Sequence, residues 1–260
     1  MRKRVAAVTA LVAACLLFAA IANAELVERG NLFVKFDGGI TPMALPRTAK
    51  APIGVRIDGT VRVLGGTERP PALRQISIAI NRGGILDTDG LPTCQRSQIE
   101  PATSTQALEA CGPALVGEGR YLGALALPEQ ERFPLQGKVL AFNAVVNGKR
   151  AILAHVYGSH PVPNSRIIVF HIHQGHGTFG TIFSAALPVR LNRSGYLKKI
   201  SLNLRRTFVY RGRKHSYLSA ACSAPTGFTS ATFPFSKVSM TFADGRKLSS
   251  TLIRTCRVQK

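Results

Sequence analysis

Apolar and polar positions alternate with period two along much of the chain, and Gly, Pro, Asn and Asp punctuate the alternation. The strongest instance lies between Lys138 and Gly177. Asn147-Gly148 suits a two-residue type I′ turn, whose central positions both need φ > 0. Such a turn sets Val146 against Lys149, Ala144 against Ala151, Phe142 against Leu153 and Leu140 against His155. The opposite face then carries Val139, Ala141, Asn143 and Val145 against Val156, Ala154, Ile152 and Arg150. Both faces are largely apolar, which predicts a central hairpin covered on two sides.

Other stretches read as strands in the same way. Val55–Val63 and Arg74–Ile80 precede the hairpin, as does Gly119–Leu127. Arg166–His173, Thr181–Leu187, Leu197–Tyr210 and Ser216–Cys222 follow it. A closing hairpin, Lys237–Phe242 with Lys247–Thr255, turns at Asp244-Gly245. Residues 25–53 read as an irregular lead-in with one strand, Asn31–Phe36. One helix is expected, Thr103–Ala110, with Ser104 as its cap and Gly112-Pro113 as its stop. About ten to twelve short strands at this spacing predict an all-β fold. The expected architecture is an antiparallel β-sandwich or barrel-like domain over residues 54–260, with one short helix.

Residues 1–24 have a different character. Arg2, Lys3 and Arg4 precede an apolar run from Val5 to Ile21, and Ala22-Asn23-Ala24 is an A-x-A cleavage site. This is the pattern of a secretory signal peptide, with the mature chain starting near Glu25. Two rivals are a retained spanning helix and lipidation at Cys15, since Val12-Ala13-Ala14-Cys15 resembles a lipobox. The apolar residues that continue past Cys15 and the small-residue cleavage site favour removal.

Export changes how the cysteines read. Of five, the mature chain keeps Cys94, Cys111, Cys222 and Cys256. An even count in a secreted chain implies two disulfides, and proximity favours Cys94–Cys111 and Cys222–Cys256 among the three pairings. None of the spacings is the short one of zinc sites.

The charge is lopsided: +21 formally, with no Asp or Glu among the 112 residues from Arg132 to Ala243. Four of the five Asp, namely Asp37, Asp58, Asp89 and Asp244, precede Gly, which is turn grammar. Paired catalytic carboxylates are therefore not expected, and no G-x-S-x-G elbow is present. Arg190–Lys214 holds nine Lys or Arg and no acid. On a strand Leu197–Tyr210, Lys199 and Arg205 share the polar face, and Arg211, Arg213 and Lys214 extend it. These five are candidates for anion binding. The expected partner is an anionic wall polymer or a membrane surface, ahead of nucleic acid, for which no binding motif is present.

Histidine is the other concentrated signal. His171 and His173 point to one face of a strand, about 7 Å apart at Cα, and His176 follows closely. With His155 as a fourth ligand they form a candidate zinc or copper site. FHIHQ resembles the copper-binding strand of copper-zinc superoxide dismutases, but the later ligands do not follow. HIHQGH resembles the zinc motif of metallo-β-lactamases, with Gly175 where Asp is needed. Structural histidines at the polar end of a core strand are the simpler reading.

Several longer stretches resemble a group of uncharacterised secreted proteins of high-GC Gram-positive bacteria. They are LPTC…ALEACGPALVGEG, ILAHVYGSHPVP, GTFGTIFSAALP, YLSAACSAPTGF and FADGRKLSSTLIRTCRV. The resemblance implies export and a β fold, and it supplies no catalytic residues. The expectation is a secreted, cationic, disulfide-stabilised β protein with a non-catalytic binding or cell-envelope role. A histidine-based metal-binding protein or metal-dependent secreted enzyme is the alternative.

Overall fold

The computed structural model describes residues 25–65, 69–125, 131–161, 163–187 and 195–259. The expected signal segment, with Cys15 and the cleavage site, lies outside them. So do Arg190 and Arg193 of the basic run and the last two residues of the expected strand Gly119–Leu127.

The chain opens with β1 (Glu25–Arg29) and β2 (Leu32–Thr41), then β3 (Ala44–Leu45), β4 (Ala51–Pro52), β5 (Gly54–Val63), β6 (Leu73–Asn81) and β7 (Gly84–Leu86). Helices α1 (Arg96–Ile99) and α2 (Ser104–Cys111) come next. They lead to β8 (Leu115–Leu125), β9 (Phe133–Val146), β10 (Lys149–Gly158), β11 (Asn164–Gln174) and β12 (Phe179–Ala186). The last third supplies β13 (Gly195–Leu204), β14 (Thr207–Tyr210), β15 (Arg213–Ser216), β16 (Leu218–Ala220), β17 (Ser230–Phe242) and β18 (Lys247–Val258). The fold is all-β, as expected.

Among the described residues, thirteen strands form one sheet in the order β1-β2-β5-β13-β8-β9-β10-β11-β12-β6-β17-β18-β3. Neighbours are antiparallel except β18 and β3. The sheet curls until β18 returns to β1 and β2. Among the described residues no backbone ladder joins β18 to them; side chains bridge the seam instead. Arg254 Nε donates to the Gly38 carbonyl at 2.6 Å, and its Nη2 donates to Asp37 Oδ1 at 2.6 Å. Arg29 donates to the Lys247 carbonyl, and Arg246 to the Arg29 carbonyl and to Asn31.

Alternation along each strand fills the inside of the curl. Leu32, Val34, Phe36 and Ile40 of β2 meet Val238, Met240 and Phe242 of β17 and Leu248 and Leu252 of β18 in one apolar core. A second sheet, β4-β16-β7, adds Leu218 and Ala220 to that core. The Cys222–Cys256 disulfide ties the segment after β16 to the β18 wall.

The central hairpin has the register its turn implied, with Asn147 at φ 51° and Gly148 at φ 72°. Ala141 and Ile152 face the main core. On the other face Leu140, Phe142, Ala144, Ala151 and Leu153 meet Ile99 of α1 and Ala107 of α2. The Cys94–Cys111 disulfide holds this second layer together. Helix α2 is capped by Thr103, not Ser104: Thr103 accepts from the Gln106 N–H, while Gln106 Oε1 accepts from the Thr103 N–H.

Three further expectations need correction. Residues 25–53 do contain the expected strand at Asn31–Phe36, within β2, but they are no irregular lead-in: β1 and β2 belong to the large sheet, and Leu32, Val34, Phe36, Ile40 and Leu45 are core residues. The run Leu197–Tyr210 is not one strand, because it breaks at Arg205-Arg206. There the Arg205 N–H turns to the Val116 carbonyl, and the Arg206 carbonyl accepts from Tyr217. Asp37 and Asp58 occupy no turns; they face each other on β2 and β5. Glycine after Asp marks close strand approach in that place, since a Cβ on Gly38 would collide with the Arg56 carbonyl.

Candidate functional site

The histidines are dispersed by strand register. β10 and β11 pair so that Ala151 faces His171 and Ile167 faces His155. His155 therefore lies four residues, about 13 Å, along the sheet from His171. It is fully buried, and Nε2 donates to the Ala102 carbonyl at 2.9 Å, with Ser165 Oγ 3.2 Å away. Burial pushes its pKa down, against the bond to Ala102, and Nδ1 has no partner among the described residues. A neutral imidazole pinning the segment ahead of α2 to the hairpin satisfies these facts.

His171 and His173 do lie on one face, with ring centroids 6.3 Å apart, and His173 Nε2 is 2.9 Å from Ser184 Oγ. His176 is exposed beyond the end of β11. Among the described residues, no three His, Cys, Asp or Glu side chains are grouped to hold a metal. The expected set His155, His171, His173 and His176 is thus not assembled, and no sequence feature fixed the β10–β11 register that separates it.

The cationic candidates have a different outcome. Lys199, Arg205, Arg211, Arg213 and Lys214 are all exposed, and none is ion-paired among the described residues. Lys199 stands on the outer face of β13, between Thr60 and Leu122. Arg205 lays its stem over Gly54. The other three belong to a hairpin for which the sequence carries only a weak signal. β14 and β15 pair from Thr207↔Ser216 to Tyr210↔Arg213 around Arg211 and Gly212, at φ 49° and 73°. Arg at the first position of such a turn is a poor signal, whereas Asn147-Gly148 is a strong one.

This hairpin is anchored at its base. His215 Nδ1 is 2.9 Å from Asp87 Oδ2, and its ring stacks on Phe208 with Tyr210 at its edge. Burial works to raise the Asp87 pKa, but the bonds from His215 and the Asp89 N–H outweigh it and hold the carboxyl low. Gly90, at φ 74°, lies under the Tyr210 ring, where a Cβ would overlap the ring carbons. The Asp87-Thr88-Asp89-Gly90 turn is therefore the seat of the hairpin. Arg211 lies over the Tyr210 ring at 5.1 Å, and Val209 is 73% exposed.

Two acids of the neighbouring wall are already engaged, while Glu118 of β8 is exposed on the same face as Arg120 and has no ion pair among the described residues. Asp37 is held by Arg254 at 2.6 Å and Asp58 by Arg56 at 2.9 Å, while Arg56 also approaches Asp37 at 3.7 Å. Exposed Lys35, Arg120 and Lys138 flank them on the outer faces of β2, β8 and β9. The wall and the hairpin together present more cations than free carboxylates, of which Glu118 on β8 and Asp89 at the hairpin's seat are exposed. Comparison with protein-family models, curated proteins and solved structures finds no match.

Proposed function

We propose that this is a non-catalytic binding protein of an oxidising, extracytoplasmic compartment. It holds to surfaces with repeated anionic groups, wall phosphates or phospholipid head groups, through its cationic wall and the β14–β15 hairpin. The observation that carries this reading is the hairpin itself. Arg211, Arg213 and Lys214 are exposed without acidic partners among the described residues, on a base locked by Tyr210 over Gly90 and His215 on Asp87. A rigid cationic projection needs no ordering when it meets an anionic surface, so little binding energy is lost.

Two disulfides support the compartment, since they persist where the environment is oxidising. No helix among the described residues is long and apolar enough to cross a membrane. The chain lacks Trp and has five Tyr, so charge rather than a sugar-stacking platform supplies recognition.

Co-sedimentation with vesicles tests this reading. Vesicles containing phosphatidylglycerol should retain the protein, and pure phosphatidylcholine should not. Soluble polyglycerol phosphate should compete, and should compete best if wall polymer is the partner. Retention should vanish by about 1 M salt, where screening acts within about 3 Å. Equal binding to neutral vesicles would overturn the proposal.

A further inference from the structure

Between the inner sheet and the barrel wall lies an apolar cavity of about 120 Å³. Ile40, Val55, Phe183 and Phe235 line it from the wall, and Leu86 and Leu218 from the inner sheet. It exists because small residues stand opposite large ones. Gly84, Ala220 and Ala231 supply little volume where the phenyl rings leave a gap. A bulge in β17 between Pro234 and Ser236 adds to this, since it shifts which residues of that strand face inward.

Its polar lining is sparse, and the one side-chain amide in it is spent. Asn81 Nδ2 donates to the Pro234 carbonyl at 2.8 Å, and its Oδ1 accepts from the Gly83 N–H at 2.8 Å. Water would find few partners deep inside. A comparable cavity of about 150 Å³ lined by Leu, Ile and Phe stays dry and admits a benzene-sized guest. The rim is different. Ile85 is 44% exposed there, Ser223 is exposed, and the Lys50 ammonium donates to the carbonyl of rim residue Gly83 at 2.7 Å.

We propose that this cavity binds the alkyl chain of an anionic amphiphile, a medium-chain carboxylate being the simplest. The end of the chain lies between Phe183, Phe235 and Ile40. The carboxylate stays at the rim, where Lys50 exchanges a carbonyl acceptor for a charged one and gains a stronger hydrogen bond. The site is separate from the cationic hairpin and does not depend on it.

Titration calorimetry of the full chain, with both disulfides formed, tests the proposal. Hexanoate, whose chain matches the cavity volume, should bind saturably with one molecule per chain, and acetate should bind at least about tenfold more weakly. Lys50→Gln should weaken hexanoate about fivefold and leave hexanol unchanged. Ala220→Leu should abolish both by filling the cavity. Should that variant fold poorly, Ile85→Glu places a repelling carboxylate at the exposed rim and should weaken hexanoate more than hexanol. Hexanoate and acetate binding equally, with loss of both in salt, would mean that the basic exterior takes up the carboxylate and would overturn the cavity site. Indifference of hexanoate to Lys50→Gln and Ile85→Glu would overturn the assignment of an anionic head group.

Discussion

Arg254 and Asp37, 217 positions apart in the chain, meet across the seam where the curled sheet comes back on itself. Arg254 is 16% and Asp37 27% exposed, so solvent screens this pair only in part. Because no ladder of backbone bonds closes the seam, Arg254→Ala should cost about 2 kcal/mol, the range for hydrogen bonds to a charged group. Arg254→Lys should recover only part of it, since an ammonium cannot serve Asp37 and the Gly38 carbonyl with a planar fork. Arg56 is 58% exposed, and its removal should cost under about 1 kcal/mol. Urea midpoints at constant m would decide; equal losses for Arg254→Ala and Arg56→Ala would remove the seam's special role.

His155 gives a pH signature. Burial lowers its folded pKa below the ordinary value of 6.5, so the folded state prefers the neutral ring. The unfolded chain then binds more protons in the window between the two values. The contribution is fully present above pH 6.5 and is lost as pH falls from there through the lowered folded value. His155→Gln should flatten that part of the stability profile at a general cost to stability. Profiles of the same shape in both proteins would show that His155 is not its source.

The two disulfides close loops of different size, with separations of 17 and 34 residues. By loop entropy, Cys94→Ser/Cys111→Ser should cost about 3 kcal/mol and Cys222→Ser/Cys256→Ser about 4 kcal/mol. Denaturant titration should rank them in that order, and peptide mapping of the intact chain should find only these two pairs. A mixed or crossed pairing would contradict the topology, because Cys94 and Cys111 lie in the outer layer and Cys222 and Cys256 in the main core.

Much of this fold could be read from local grammar. Asn147-Gly148 fixed a register that runs correctly from Val146↔Lys149 to Val139↔Val156, because turn chemistry and alternation agreed. Both cysteine pairs followed from proximity. What failed was long-range. The pattern at Asn31–Phe36 shows a strand, but nothing near Leu32 says that β2 will pair with β5 and clasp β18, so its place in the core is not legible there. His155 reads as a partner of His171 because its hairpin strand can lie beside theirs; it does, yet the β10–β11 register sets the two four residues apart. The cationic residues were found by composition, but the hairpin that projects three of them was hidden by an Arg in a turn position and by the break at Arg205-Arg206. The apolar cavity left no trace in the sequence, since it arises from Gly84, Ala220 and Ala231 meeting distant phenyl rings.

The most direct test of the central claim is the salt dependence of binding to anionic vesicles, measured for the native chain and for Arg205→Glu/Arg213→Glu. Both residues are exposed, and neither alters the Arg211-Gly212 turn, so the fold should be retained. Each cation that docks displaces about one counterion and adds about one unit to the slope of log K against log salt. The account predicts a steep negative slope for the native chain, shallower by about two in the variant, with binding at low salt reduced at least about tenfold. An unchanged slope and affinity in the variant would contradict it.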